Sequence, residues 1–351
     1  MASDPDFKPD LARSNLDKQL RARAFWSSVR ALSQHLEQHP PKRLSQSLIE
    51  LKGGPARNLF LVHDGDGQTL VYLNLAHRMP ADLAVIGIEP FSVPGVPLAH
   101  TSVEDMAACY VQEIRRHQPN GPYLLGGLCA GGVIAFEMAS QLLRVGESVE
   151  FVALLDSVRP QTPMRPGLLA NYRYNRLTQA LTVARSTELS YVGRGWSILG
   201  LISRKLVNTL TWEIKRRATK FWVGARFLLL RKLRARGRPW PRLVPGLSVR
   251  QIYESADALY LARPLSRAPV VLVLARAGVN GVADDIPYVD IYADEALGWR
   301  GLIEQFNVID VDGGHSSMLR EPFVQSLATA LVPLVAGSAS TRAPVAPLEK
   351  A

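Results

Sequence analysis

Between residues 57 and 311, short apolar runs alternate with amphipathic stretches. A chain patterned in this way builds βαβ units around a parallel sheet, which makes it an α/β protein. The expected strands are Asn58–His63, Leu83–Glu89, Tyr123–Gly127, Val149–Asp156, Pro269–Ala275 and Phe306–Val311. Thr101 and Glu104 fit a capping box that opens a helix running to His117, just before Pro119. A second helix starts at Ala130, with Val133, Ile134, Phe136, Met138 and Leu142 on its buried face. The alternation breaks over residues 160–249, where helical segments rich in Leu, Trp and Arg, such as Leu201–Phe227, read as a lid over the edge of the sheet. Residues 1–52 read as an N-terminal helical extension, with Leu20, Ala24, Trp26, Val29, Leu32 and Leu36 at helical spacing. Residues 53–336 then form the domain, and 337–351, rich in Gly, Ser, Thr, Pro and Ala, a disordered tail. No internal repeat is visible, which sets solenoids and propellers aside.

The 351 residues are 47% hydrophobic and 21% charged, the composition of an ordinary globular chain rather than a collagen-like, low-complexity or disulfide-framework protein. The net charge of +10 is unevenly placed. From Arg165 to Arg242 there are 18 Lys or Arg against the two acids Glu188 and Glu213, so the remainder of the chain is net acidic. The basicity belongs to the insertion, and no zinc-ligand spacing, basic zipper or aromatic RNP-type strand accompanies it, so nucleic acid is not the expected partner. The first twenty residues carry no apolar core of a signal peptide, and the only cysteines are Cys109 and Cys129. Both features point to a reducing, cytoplasmic setting. The longest apolar runs fall far short of the roughly 18 residues that a spanning helix needs.

The strongest chemical signal is Gly126-Gly127-Leu128-Cys129-Ala130-Gly131-Gly132, between an apolar strand and an amphipathic helix. Small residues on both sides of a nucleophile permit a strained turn that projects its side chain above the sheet. The following helix would aim its positive end at the sulfur and favour thiolate, the reactive form. Cys109, at an apolar position of the helix that ends at His117, reads as core. Six of the seven histidines lie at or before His117, which leaves His315, in a loop after the last expected strand, as the base. Open α/β sheets hold their functional groups at the carboxyl ends of parallel strands. His63 is a competing base, placed where an oxyanion loop is expected.

The third member is a carboxylate that orients His315. Asp156 ends an apolar strand, a costly placement unless it is paired. Asp284, Asp285 and Asp290 are the alternative acids, expected to be solvated in a polar loop. For the oxyanion, the N–H of Ala130 supplies one donor, and that of Gly65, in the loop His63-Asp64-Gly65-Asp66-Gly67, is chosen as the second.

These residues resemble the thioesterase domains of nonribosomal peptide and polyketide synthases, which are α/β-hydrolases. The resemblance runs from about Leu59 to Ala336. It rests on the His63 loop, the Gly-Pro-Tyr-Leu-Leu-Gly-Gly lead-in to the elbow, the strand end Leu154-Leu155-Asp156 and Gly314-His315-Ser-Ser-Met-Leu-Arg-Glu-Pro322. It implies a mostly parallel sheet with helices on both faces and a large helical lid. The order nucleophile, acid, histidine is matched by Cys129, Asp156 and His315. The implied activity is release or transfer of an acyl or peptidyl chain from a thioester on the phosphopantetheine of a carrier protein, or on coenzyme A, with no bound cofactor and no metal. The chain's start at Met1, with no carrier module ahead of it, implies an enzyme that works in trans.

Most members carry serine at the elbow, and this chain carries cysteine. Acyl transfer from a pantetheine thiol to Cys129 exchanges one thioester for another, so the group stays activated and an amine, a hydroxyl or another thiol can accept it as readily as water. In the insertion, Lys215, Arg216, Arg217, Arg231, Lys232, Arg234 and Arg236 form a candidate docking face for an acidic acyl or peptidyl carrier protein. A solvated outer face and contact with anionic lipid are the competing readings, since Trp212, Phe221, Trp222 and Leu228–Leu230 interleave the charges. Two further functional readings stay open: a cysteine-dependent lactone hydrolase on the same fold, and a non-catalytic module that only binds carrier proteins.

Overall fold

The structure, a computed structural model, describes residues 41–166, 211, 215–277 and 285–336. The chain divides into two compact units, Met1–Arg43 and Leu44–Ala351. Of the first unit only residues 41–43 are described, so the expected helix between Leu20 and Leu36 lies outside the described residues.

Within the second unit seven strands form one sheet: β1 Leu48–Lys52, β2 Arg57–Val62, β3 Leu83–Ile88, β4 Tyr123–Leu128, β5 Val149–Leu155, β6 Val270–Ala275 and β7 Phe306–Val311. Their spatial order is β1-β3-β2-β4-β5-β6-β7. β1 runs antiparallel to β3, and every other pairing is parallel. Six strands therefore lie within a residue of their expected ends. β1 corrects the expected boundary at 52, because residues read as helical extension are a strand of this sheet. Outward-leaning Glu50 and Lys52 and a bulge at the β1–β3 pairing weaken its apolar pattern.

Successive residues of the central strands point to opposite layers. Phe60, Val62, Leu125, Val152, Leu154 and Leu272 share one core with α2 (Val103–His117) and α3 (Ala130–Arg144), contacted through Tyr110, Ile134 and Phe136. Leu59, Leu61, Phe151 and Val271 are buried on the other layer. There the short α1 (Leu73–Ala76) packs against α7 (Val324–Val335). Ser102 caps α2, accepting from Asp105 N–H, in place of the expected Thr101. Residues 215–235 form helix α4, which buries Phe227 and Leu230. Helix α5, Val249–Asp257, starts at a capping box made by Ser248 and Gln251. Of the expected lid, residues 167–210 and 212–214 lie outside the described residues, as does the expected tail from 337.

Candidate active site

The turn from β4 into α3 places Cys129 at φ 55° and ψ −115°, a conformation costing on the order of 1–3 kcal/mol that persists only where its surroundings enforce it. Here the enforcement is glycine packing. A Cβ on Gly127 would lie 2.7 Å from Gly131 Cα, and one on Gly131 would lie 2.7 Å from the His63 carbonyl oxygen. Tyr72, fully buried, ties the lead-in to β2: its hydroxyl accepts from Leu128 N–H at 2.8 Å and donates to the Val62 carbonyl at 2.7 Å. Ser157 Oγ donates to the Cys129 carbonyl at 2.8 Å.

Asp156, directly after β5, is fully buried at φ 41°, and its N–H donates to the Val273 carbonyl of β6. Its Oδ2 accepts from His315 Nδ1 at 2.7 Å and from Tyr288 N–H at 3.2 Å, while Oδ1 has no partner among the described residues. With Nδ1 committed to Asp156, the other ring nitrogen of His315 is left for Cys129, its second side-chain partner. Burial opposes a charge on His315, but the bonds to Asp156 and Cys129 outweigh it and raise its pKa from 6.5 to about 10. The structure thus brings Cys129, Asp156 and His315 together, with His315 bonded to Asp156 and interacting with Cys129.

The His315 loop is held by a residue that sequence reading placed in solvent. Asp285 is 1% exposed. Its Oδ1 accepts from the N–H groups of Ser316 and Ser317 at 3.0 and 2.7 Å, and its Oδ2 from Ser317 Oγ at 2.8 Å. Its carbonyl accepts from His315 N–H at 3.3 Å. The two adjoining serines after His315 were the available signal, since their donors require an acceptor. Asp290 is exposed as expected, and Asp284 lies outside the described residues.

His63 is not poised as a base. Its Nδ1 donates to the Asp64 carbonyl at 2.7 Å, so Nε2 is the acceptor and takes the Tyr110 hydroxyl at 2.9 Å. Burial lowers its pKa to about 4, leaving it neutral with both nitrogens used. The loop after it is clamped: Asp64 Oδ1 accepts from Asp66 and Gln68 N–H, and Arg250 of α5 grips Asp66, with Nε donating to Oδ1 at 2.7 Å. Gly65 borders the elbow, where an added Cβ would sit 3.8 Å from Ala130 Cβ. The N–H of Ala130, at the first turn of α3, lacks an intrahelical acceptor. Cys109 is half-buried in α2 against the core, and burial raises its pKa to about 11.

Tyr288 was not foreseen from the sequence. It opens the four-residue α6, Tyr288–Ile291, and its hydroxyl lies 3.0 Å from Cys129 Sγ. Its ring stacks on His315 with centroids 4.1 Å apart and planes 13° from parallel. Nothing at residue 288 in the sequence distinguishes it from any other tyrosine of the region; it is the fold that brings it here, with its N–H on Asp156 at the end of β5. The seven basic residues of the candidate docking face, Lys215 to Arg236, are all exposed, beside exposed Phe221, Trp222 and Leu228.

Residues 57–196 match the thioesterase domain family. The matched stretch holds Cys129 and Asp156 and ends before His315. The chain is 38% identical over 128 residues to a non-reducing polyketide synthase of Preussia isomera, a match covering 36% of this chain and 6% of that one. It is 42% identical over 107 residues to a non-reducing polyketide synthase of Aspergillus terreus, covering 30% of this chain and 5% of that one. The chain therefore aligns with a small fraction of these relatives' length. Among solved structures, the NocB thioesterase domain of the nocardicin cluster matches with a TM-score of 0.50 at 22% identity, over 84% of this chain and 100% of that one. The fold is that of the α/β-hydrolase thioesterase domains. Among the described residues no helix is long and apolar enough to cross a membrane.

Proposed function

We propose that this chain is a thioesterase or acyltransferase that takes an acyl or peptidyl chain from a phosphopantetheine thioester, in polyketide or nonribosomal peptide biosynthesis, through an acyl-Cys129 intermediate. The observation that carries this reading is the line Cys129, His315, Asp156 at the strained elbow of a thioesterase-type fold.

In the first half-reaction Cys129 Sγ passes its proton to His315 and attacks the thioester carbonyl carbon. The carbonyl electrons move to oxygen, which the N–H groups of Ala130 and Gly65 receive. As the tetrahedral centre collapses, the bond to the pantetheine sulfur breaks, and that sulfur takes the proton from His315 and departs as a thiol. In the second half-reaction neutral His315 removes a proton from the acceptor, which is water, an amine, a hydroxyl or another thiol. The acceptor attacks, the bond to Cys129 breaks, and its electron pair returns to sulfur. His315 again holds the proton, with Asp156 stabilising the imidazolium throughout. No metal or bound cofactor enters these steps.

The donor on this reading is a carrier protein bearing the pantetheine arm, and the exposed positive charges from Lys215 to Arg236 suit the acidic surface of such a partner. The test is intact-protein mass after mixing the chain with small acyl thioesters, beside Cys129→Ala. Acyl adducts on the wild type that are absent from the variant are the expected result. Thioester consumption that survives Cys129→Ala would overturn the covalent route.

A further inference from the structure

Tyr288 touches all three members of the proposed triad: its hydroxyl meets Cys129 Sγ, its ring stacks on His315 and its N–H reaches Asp156. Three contacts from one residue fix where the hydroxyl points, because the ring cannot swing from the sulfur without unstacking from the imidazole. We infer that Tyr288 is a catalytic residue whose hydroxyl donates a hydrogen bond to Cys129 Sγ and stabilises it as the leaving group when the acyl chain is handed to its acceptor. The inference rests on the acyl-Cys129 reading above.

The direction of the bond follows from the surroundings. The thioester sulfur of acyl-Cys129 carries no proton and burial keeps the tyrosine hydroxyl protonated, so in that intermediate the hydroxyl is the donor and the sulfur the acceptor. The Tyr288 hydroxyl, 3.0 Å from Sγ, is within direct hydrogen-bond reach of the sulfur. When the acceptor attacks, the carbon–sulfur bond breaks and its electron pair moves to Sγ. At that moment His315 is bonded to the proton taken from the acceptor, so the Tyr288 hydroxyl is the donor left to meet the growing negative charge. It transfers no proton. A hydrogen bond to a charged atom is stronger than one to a neutral thioester sulfur, so the contact favours deacylation over the acyl-enzyme ground state.

This asymmetry is what the experiment reads. Tyr288→Phe keeps the ring and the main-chain N–H and removes the hydroxyl. In single-turnover mixing with an acyl thioester of N-acetylcysteamine, followed by intact mass, the variant should acylate within about threefold of the wild-type rate and deacylate at least about tenfold more slowly. Tyr288→Leu, which also loses the stacking on His315, should slow both steps. Equal acyl lifetimes in wild type and Tyr288→Phe, or equal slowing of both steps in Tyr288→Phe, would overturn the leaving-group role. A wild type that forms no adduct on Cys129 would instead overturn the acyl-Cys129 reading itself, so the two failures are told apart.

Discussion

Gly127 and Gly131 pass so close across the elbow that a Cβ on the first would sit 2.7 Å from the Cα of the second. Backbone, not a movable side chain, occupies that space. Gly127→Ala should destabilise the fold by about 3 kcal/mol in urea unfolding, the upper end for overpacked sites. Gly65→Ala provides the contrast, since its Cβ would meet Ala130 Cβ at an ordinary 3.8 Å, and its stability should stay within about 0.5 kcal/mol of wild type. Equal losses in the two variants would remove close packing as the reason for the glycines.

Asp285 gathers the N–H groups and hydroxyls of Ser316 and Ser317 under the His315 loop. Asp285→Ala leaves buried donors without an acceptor, and a loss of about 3 kcal/mol is expected. Because the same bonds aim His315, thioester turnover should fall by about tenfold or more under conditions where the variant is still fully folded. Turnover that survives unchanged would show that Asp156 orients the imidazole unaided.

The His315–Asp156 pair sets a pH dependence of stability with a definite sign. His315 has a folded-state pKa raised to about 10 from 6.5, so the native state holds this proton more tightly than the unfolded chain does. The stabilisation is complete below about pH 6.5 and is lost as pH rises through that window towards 10. Urea unfolding of the wild type should show stability declining from neutral to alkaline pH, with a shallower decline in Asp156→Asn. Parallel curves for the two proteins would mean that the pair contributes nothing over this range.

Charges on α4 are exposed, so any attraction they exert is screened by salt. Raising ionic strength from about 50 to about 500 mM should increase KM several-fold for an acyl group presented on a carrier protein and leave KM for a small thioester unchanged. Replacing Arg231, Lys232, Arg234 and Arg236 together by Gln should reproduce the high-salt KM at low salt. A carrier KM indifferent to both changes would assign this face to solvent.

Most of the sheet was legible in the sequence because buried parallel strands are short, apolar and punctuated. Leu83–Ile88 and Phe306–Val311 begin and end within a residue of their expected limits. Leu48–Lys52 was not legible: an antiparallel edge strand with Glu50 and Lys52 reads like the mixed polar segment before it. At the site, Cys129 and Asp156 stand out because their positions at strand ends are local facts. Asp285 was misjudged because its partners, Ser316 and Ser317, lie some thirty residues away, and a polar loop residue looks solvated until those donors arrive. Tyr288 was invisible for the same reason, since its importance comes from three contacts, each with a residue distant in sequence.

One consequence of the β5–β6 pairing reaches beyond the site. Val152 to Leu155 lie beside Val270 to Val273 in register, and Asp156 N–H bonds to the Val273 carbonyl, so the chain leaves the sheet after Asp156 and re-enters it on the adjacent strand. The two ends of the intervening segment are stitched together without its help. The exposed stretches between these two anchor points are therefore open to natural variation or engineering, provided that Ser157 still bonds the Cys129 carbonyl and Arg250 of α5 still grips Asp66.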